Sequence, residues 1–425
     1  MSSAERFVRH HRQQTDRAIS QAYARLATDA IAKATFHELL YCARKRAKPL
    51  LDAPVVNGHH PGVKALVNLS RFMWAHVRAV ADWPGTSASW QPAVCSLAQH
   101  LIGKYTVPAF LAASWSAADE PYAERKRQWF VAHARGASFR SLDLPIDMTR
   151  KMEHIFLVSR DHLTIEHAIR RAELLALGAP DELVLAVLAT RSATDLGNGA
   201  FWRTVWMFLI ANASAIDLAQ VGPMIDFVQA IRHERIAVET PDGIVVREPP
   251  QPSFSMKGRT VQSMLRLMQD WHRSLGLANG GLTWAPSPLQ PMLVEEPSQD
   301  PSAPPSVWQL MELTNGAQLR TEGTALHHCV ASYADRCWRG ASRIWALRVH
   351  RGEKVRHVLT VEVDMKRRAV VQARGWGNRA PSGKPLRLLQ DWAVRERVRL
   401  AICVPGSVLG KPPKARRAHS RHLRE

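Results

Sequence analysis

Apolar residues recur at helical spacing through the first two thirds of the chain. Between Thr15 and Cys42 they fall at Ala18, Ile19, Ala22, Leu26, Ile31, Phe36 and Leu39–Leu40, a stripe that predicts an amphipathic helix. Pro61-Gly62 opens a second apolar segment, Val63 to Trp83, which Pro84-Gly85 closes. The same spacing predicts helices over Pro92–Lys104, Val107–Ser114, Pro121–Gly136, Pro145–Val158, Ile165–Leu177, Pro180–Thr190, Gly199–Ala213 and Gly222–His233. Strict alternation around Asp242-Gly243 predicts a small hairpin over residues 235–248, because Asp-Gly suits the left-handed turn that joins twisted strands. A helix through Leu265, Met268, Trp271 and Leu275 follows Lys257-Gly258-Arg259-Thr260. Residues 1–278 thus form a mostly α-helical N-terminal domain, either an irregular helical array or a compact bundle.

The pattern then changes. Seven prolines fall between Ala285 and Ser306, so residues 279–306 read as a Pro-rich linker, or as a segment draped over a neighbour. Beyond it the period becomes two. Val307–Leu313 and Ala317–Thr321, joined at Asn315-Gly316, predict a hairpin, and a helix follows from about Thr324 to Arg339. Three strands come next, Arg343–His350, Val355–Val363 and Ala369–Gly375, and then a helix from about Lys384 to Leu400. The order predicts a C-terminal α+β module, residues 307–402, with helices on one side of an antiparallel sheet. Residues 403–425 read as a basic, disordered tail.

Charge sharpens the division. The 425 residues hold 57 Lys and Arg against 37 Asp and Glu, a net +20. From Glu322 onward the counts are 23 against 8, a net +15, so about a quarter of the chain carries most of the excess. Clustered Lys and Arg attract polyanions, which makes DNA or RNA the expected partner of the C-terminal region, with Lys411, Lys414, Arg416 and Arg417 of the tail among the contacts. The helical region is left as a surface for a protein partner. A hydrophobic fraction of 46% excludes a largely disordered chain. The longest apolar run, Phe201–Ile210, is too short to span a bilayer and contains Arg203. With a polar start and five cysteines in no dense framework, a cytoplasmic protein is expected.

Chemistry-bearing residues concentrate in the module. His327-His328-Cys329 precedes Tyr333, and the strand Arg356–Val363 alternates Thr360 and Glu362 with Leu359, Val361 and Val363. Leu359, Val361 and Val363 are expected under the helix that holds Cys329. Thr360 and Glu362 would share the opposite face with Gln372 and Arg374, where Glu362 could pair with Arg374. A shared site is nevertheless expected, because these are hydrogen-bonding groups within one small module, with His328 or Cys329 within about 10 Å of Thr360, Glu362 or Gln372, a span one small ligand can cover. The catalytic candidates are His328, Cys329 and Glu362. Consecutive helical residues point about 100° apart, so His328 is poorly placed to deprotonate Cys329, and a base would come from His357 or His350. Trp376, between two glycines and near Arg379, is a candidate for stacking on a base. Metal is not expected: Cys329 and Cys337 are too far apart along a helix, and neither His37-Glu38 nor His233-Glu234 has the second His of a zinc motif. No phosphate-binding Gly-rich loop is present, and no cofactor is expected.

Glu322-Gly323, then His328-Cys329-Val330 and Tyr333, Ile344-Trp345-Ala346-Leu347-Arg348, Thr360-Val361-Glu362, and Val371-Gln372-Ala373-Arg374-Gly375 with Asn378 together resemble the PcfJ-like protein family. The likeness covers about 90 residues, Val307 to roughly Leu400, with a weaker upstream part through Asp143-Leu144-Pro145, Phe201-Trp202, Asp226, Lys257–Thr260 and Trp271-His272. The family takes its name from a gene on a conjugative plasmid, so the resemblance implies a bacterial mobile or plasmid-related setting and brings no settled reaction. Tyr333, Arg348, Thr360, Gln372, Arg374, Trp376 and Asn378 are the ligand-binding or nucleic-acid-binding candidates of the module. Two functions follow. One is a nucleic-acid-associated accessory protein. The other is an enzyme acting on a nucleic acid or phosphorylated substrate through His328, Cys329, Thr360, Glu362, Gln372 and Arg374.

Overall fold

A computed structural model describes residues 3–55, 59–86, 89–116, 122–160, 163–240, 243–278, 281–298, 304–326 and 329–402. Helical spacing mostly becomes helices as far as Ala278, but the Thr15–Cys42 stripe is divided between Ser3–Arg25 and Ala30–Arg46, the Val63–Trp83 segment is α-helical only to Arg71, and Val107–Ser114 holds the 3-10 turn Ala109–Ala112. The apolar stripes merge into one core that includes Phe36, Leu66, Phe110, Trp115, Phe156, Trp206 and Ile225. Side chains close the exposed helix starts. Asp29 accepts from the Ala32 amide at 2.9 Å, Thr149 from Met152 at 3.2 Å and Thr164 from His167 at 3.3 Å. Gly62 is required by close approach, since a Cβ there would stand 1.9 Å from the Leu50 carbonyl oxygen. The hairpin forms as expected, with β1 (Ile236–Thr240) antiparallel to β2 (Gly243–Arg247). No described helix is long and apolar enough to cross a membrane.

The module is a six-stranded sheet in the order β3-β4-β5-β6-β7-β8. Its strands are β3 (Met292–Glu296), β4 (Ser306–Leu313), β5 (Ser342–Arg351), β6 (Lys354–Asp364), β7 (Ala369–Arg374) and the two-residue β8 (Arg399–Leu400). All pairs are antiparallel except β7 with β8. On one face Trp345, Leu347, Leu359, Val361 and Val363 pack under Leu389 and Trp392 of the last helix, Gly383–Arg395. On the other, Leu313, Ile344 and Ala346 pack with Leu319, Val330, Tyr333 and Cys337.

Four expectations are corrected. Residues 317–321 are helical, within Gly316–Leu326, because the Asn315 side chain caps a helix, accepting from the Gln318 amide at 2.8 Å, where a hairpin turn was expected. The helix expected over 324–339 is broken. After Leu326 the chain resumes as a tight 3-10 turn, Val330–Tyr333, and a short helix, Ala334–Trp338. Part of the stretch read as a linker is strand β3, and Leu282, Trp284 and Leu289 on either side of its prolines are buried. Finally, helices cover both faces of the sheet. Leu359, Val361 and Val363 therefore lie under the last helix, while Thr360 and Glu362 face the Cys329 segment. The tail, with Lys411, Lys414, Arg416 and Arg417, lies outside the described residues.

Candidate functional site

Strand register assembles the polar face. Across β5, β6 and β7, Ile344 stands beside Glu362 and Glu362 beside Gln372; Ala346 stands beside Thr360 and Thr360 beside Arg374. Cys329, Val330 and Tyr333 descend on this face from the break after Leu326. Asp226 reaches it from the helix Leu218–His233, in the other core. Together they line a cavity of about 20 Å³. That is room for about one water molecule.

Ion pairs tie the cavity wall to both cores. Arg191 lies 3.5 Å from Asp226 and 2.6 Å from Glu234, with its guanidinium 5.5 Å from the centre of the Tyr333 ring. Arg336 reaches Glu234 at 3.2 Å, Glu362 at 3.3 Å and the Ser342 hydroxyl at 3.2 Å. Ser342 donates to Glu362 Oε1 at 2.6 Å. The Cys329 thiol donates to Asp226 Oδ2 at 3.0 Å, and Tyr333 donates to Gln372 Oε1 at 3.1 Å. A second node lies beside the first. Glu322 is fully buried; it accepts from Arg348 at 2.9 Å, meets His357 Nδ1 at 2.6 Å and accepts from Thr360 at 3.4 Å.

Burial sets the proton affinities. It pushes the Cys329 thiol well up, and the Asp226 charge adds to that effect. Such a cysteine is a thiol donor, the opposite of a nucleophile primed as thiolate. Tyr333 is raised by burial and then by the Asp226 and Glu362 charges. Burial also lifts both carboxyls above their ordinary range, with Arg191 pulling each back. Arg191 loses hydration too, yet Glu234, Tyr333, Asp226 and Glu362 outweigh that loss and hold it cationic. Glu362 Oε2 and Asp226 Oδ1 are buried with no hydrogen-bond partner among the described residues.

These shifts fix a sign. A carboxyl raised on folding keeps its proton where the unfolded chain has released it, so folding is favoured at low pH. Stability is lost as pH climbs from the ordinary carboxylate range, about 4, through the folded value. Glu362→Gln removes this group from the balance. The stability of that variant relative to the native protein is therefore expected to increase between about pH 4 and pH 8, measured by denaturant titration at each pH. A constant difference would mean that Glu362 is ionised throughout.

The structure brings Cys329, Tyr333, Thr360, Glu362, Gln372 and Arg374 to one cavity. Gln372, rather than Arg374, stands directly across from Glu362. Arg348 serves the Glu322 node. Neither histidine proposed as a base serves Cys329: His357 meets Glu322, and His350 meets Gln309 at 3.1 Å. Trp376 is 54% exposed, with the Arg379 guanidinium 5.3 Å from its ring centre. His328 and the Asn378 side chain lie outside the described residues. Among the described residues no group of three or more His, Cys, Asp and Glu is placed to hold a metal ion. Sequence reasoning missed Arg191, Glu234, Glu322, Arg336 and Ser342 as parts of the cluster. For Asp226 a signal existed, a lone carboxylate inside Met224-Ile225-Asp226-Phe227-Val228.

Residues 308–385 match the family model described as PcfJ-like protein. The match includes Glu322, Cys329, Tyr333, Glu362 and Gln372, while Arg191, Asp226 and Glu234 lie outside it. No curated protein and no solved structure matches the chain.

Proposed function

We propose that the protein is a nucleic-acid-associated accessory protein whose C-terminal module contacts phosphates. The resemblance to PcfJ-like proteins gives it a mobile or plasmid-related setting, and the helical region is left to recruit a protein partner. The supporting observation is how charge is sorted by burial. Within the described part of residues 307–402, twelve Lys and Arg are exposed, among them Arg351, Lys354, Arg356, Lys366, Arg367 and Arg399, against two exposed acids, Glu353 and Asp391. Glu322, Asp335 and Glu362 are buried and paired with arginine. The surface is thus more basic than the composition.

Phosphate contacts release counterions, so the logarithm of affinity should fall with the logarithm of salt at about −0.9 per phosphate neutralised on duplex DNA. Fluorescence anisotropy of a labelled duplex should give a slope of about −3 or steeper, and a shallower one once Lys411–Glu425 is removed. A flat salt dependence would sink the proposal. One observation favours an enzyme instead: polar side chains and raised carboxyls converge on one cavity between the cores. Against it stand the cavity's size and the engaged thiol. Turnover of a nucleic acid or phosphorylated substrate, abolished by Glu362→Gln with binding retained, would reverse the order of the two readings.

A further inference from the structure

Three segments of the helical region meet at a surface distant in sequence from the module. The Val77 amide donates to the Leu101 carbonyl at 2.6 Å, and the Lys104 and Tyr105 amides both donate to Ala134 at 3.0 Å. These bonds knit residues 73–78, 100–105 and 134–136 together. Two large aromatic side chains stand out of the seam, Trp74 and Tyr105, each 61% exposed. The Arg135 guanidinium lies 5.3 Å from the centre of the Trp74 ring and donates to the Trp74 carbonyl at 3.3 Å. The Tyr105 ring lies so close to the backbone of Gly136 that a Cβ there would stand 2.9 Å from its Cε2, at a φ of +101° that also favours glycine. Arg78 is pinned across the seam by the carbonyls of His100 and Gly103, at 2.8 and 3.0 Å.

Cations outnumber acids beside the rings. Residues 71–81, 99–107 and 131–141 contain Arg71, Arg78, Lys104, Arg135 and Arg140; Arg140 is paired with Glu153 at 2.9 Å, and exposed Asp82 follows the first segment, which leaves Arg78, Lys104 and Arg135 as the cations nearest the rings. Exposed aromatic faces cost hydration, and an apolar partner would not require cations between them. Flat rings interleaved with cations suit unpaired bases, which stack on any π-face while Lys and Arg track the phosphates. A duplex keeps its base faces covered and cannot use the rings in this way. We infer that Trp74, Tyr105, Arg78, Lys104 and Arg135 form a stacking platform for single-stranded nucleic acid. It is a second contact, separate from the duplex-competent basic surface of the module, and it rests on the nucleic-acid reading above.

The test uses the full chain and an oligo(dT) of about 20 nucleotides, a length that covers several nucleotides at each contact. Stacking strengths convert to a loss of about tenfold or more for each aromatic removed. Trp74→Ala/Tyr105→Ala should therefore weaken oligo(dT) binding by about a hundredfold and leave the affinity for duplex DNA and its salt slope within about twofold. Photocrosslinking of the unaltered protein to thiothymidine-substituted oligo(dT), with peptide mapping, needs no variant to fold and should mark Trp74 or Tyr105. If both probes bind but the variant is indistinguishable and crosslinks fall only in the module, the platform is overturned and the proposed function stands. If neither probe binds, both fall. Absent crosslinks at these rings with unchanged oligo(dT) affinity would overturn the inference as well.

Discussion

Glu322→Ala will destabilise the protein by about 3–5 kcal/mol, the cost of breaking a buried ion pair from one side. Glu322 has no exposed surface, and its carboxylate is the shared acceptor for Arg348, His357 and Thr360. Its removal leaves a guanidinium only 17% exposed without its carboxylate. The loss should register as a lower denaturant midpoint with an unchanged slope. Replacing Glu322 and Arg348 together with apolar residues of similar size should recover much of it, because the larger part of the penalty is the stranded charge. A loss below about 1 kcal/mol would place the pair among ordinary exposed bridges and remove the node from the account.

Arg191→Ala should act at the seam between the cores. Asp226 and Glu234 would lose their shared cation, and Arg336 alone would face Glu234 and Glu362. A global cost of about 3–5 kcal/mol is expected for the same reason as at Glu322. The local signature is more informative. Cys329 and Cys42 are both buried thiols, Cys329 at the seam and Cys42 deep in the helical core. If Arg191 holds the seam closed, alkylation followed by peptide mass analysis will show Cys329 reacting faster in the variant while Cys42 keeps its native rate. Both thiols accelerating together would report global unfolding and no separate interlock.

Much of this architecture was legible because periodicity reports burial directly. The alternation through Arg343–His350 and Val355–Val363 became β5 and β6 within a residue or two, and most of the helical spacing before Ala278 became helices, interrupted by breaks before Ala30 and after Arg71 that the apolar stripe did not mark. Where reading failed, one residue had two local uses. Asn-Gly suits a hairpin turn, but Asn also caps helices, and packing of Leu319 into the core chose the cap. Strand β3 hid among prolines because an edge strand needs ladder bonds on one side only, so Pro291 and Pro297 can bound it without loss. The site was half visible. Alternation grouped Thr360, Glu362, Gln372 and Arg374, yet it could not reveal how their face was covered, since beside the Cys329–Tyr333 segment part of the cover comes from Asp226 and Arg191, over a hundred residues upstream. Long-range ion pairing leaves no periodic trace.

The ends of the C-terminal module hold each other. The Gln290 carbonyl, just before β3, accepts from the Trp392 indole at 2.8 Å and from Arg395 at 2.9 Å; Pro291 accepts from Arg395 at 2.8 Å, and the Gln290 amide donates to Glu396 at 3.0 Å. During synthesis, therefore, the face formed by Trp345, Val361 and Val363 has no lid until the chain has grown past residue 396. The helical region packs its core from residues before 272, nearer to one another in the chain. The nascent protein would present Trp74 and Tyr105 to the cell first. Docking of the sheet on Asp226 and Arg191 needs β5, β6 and β7, so the seam closes only after the chain has grown past Arg374.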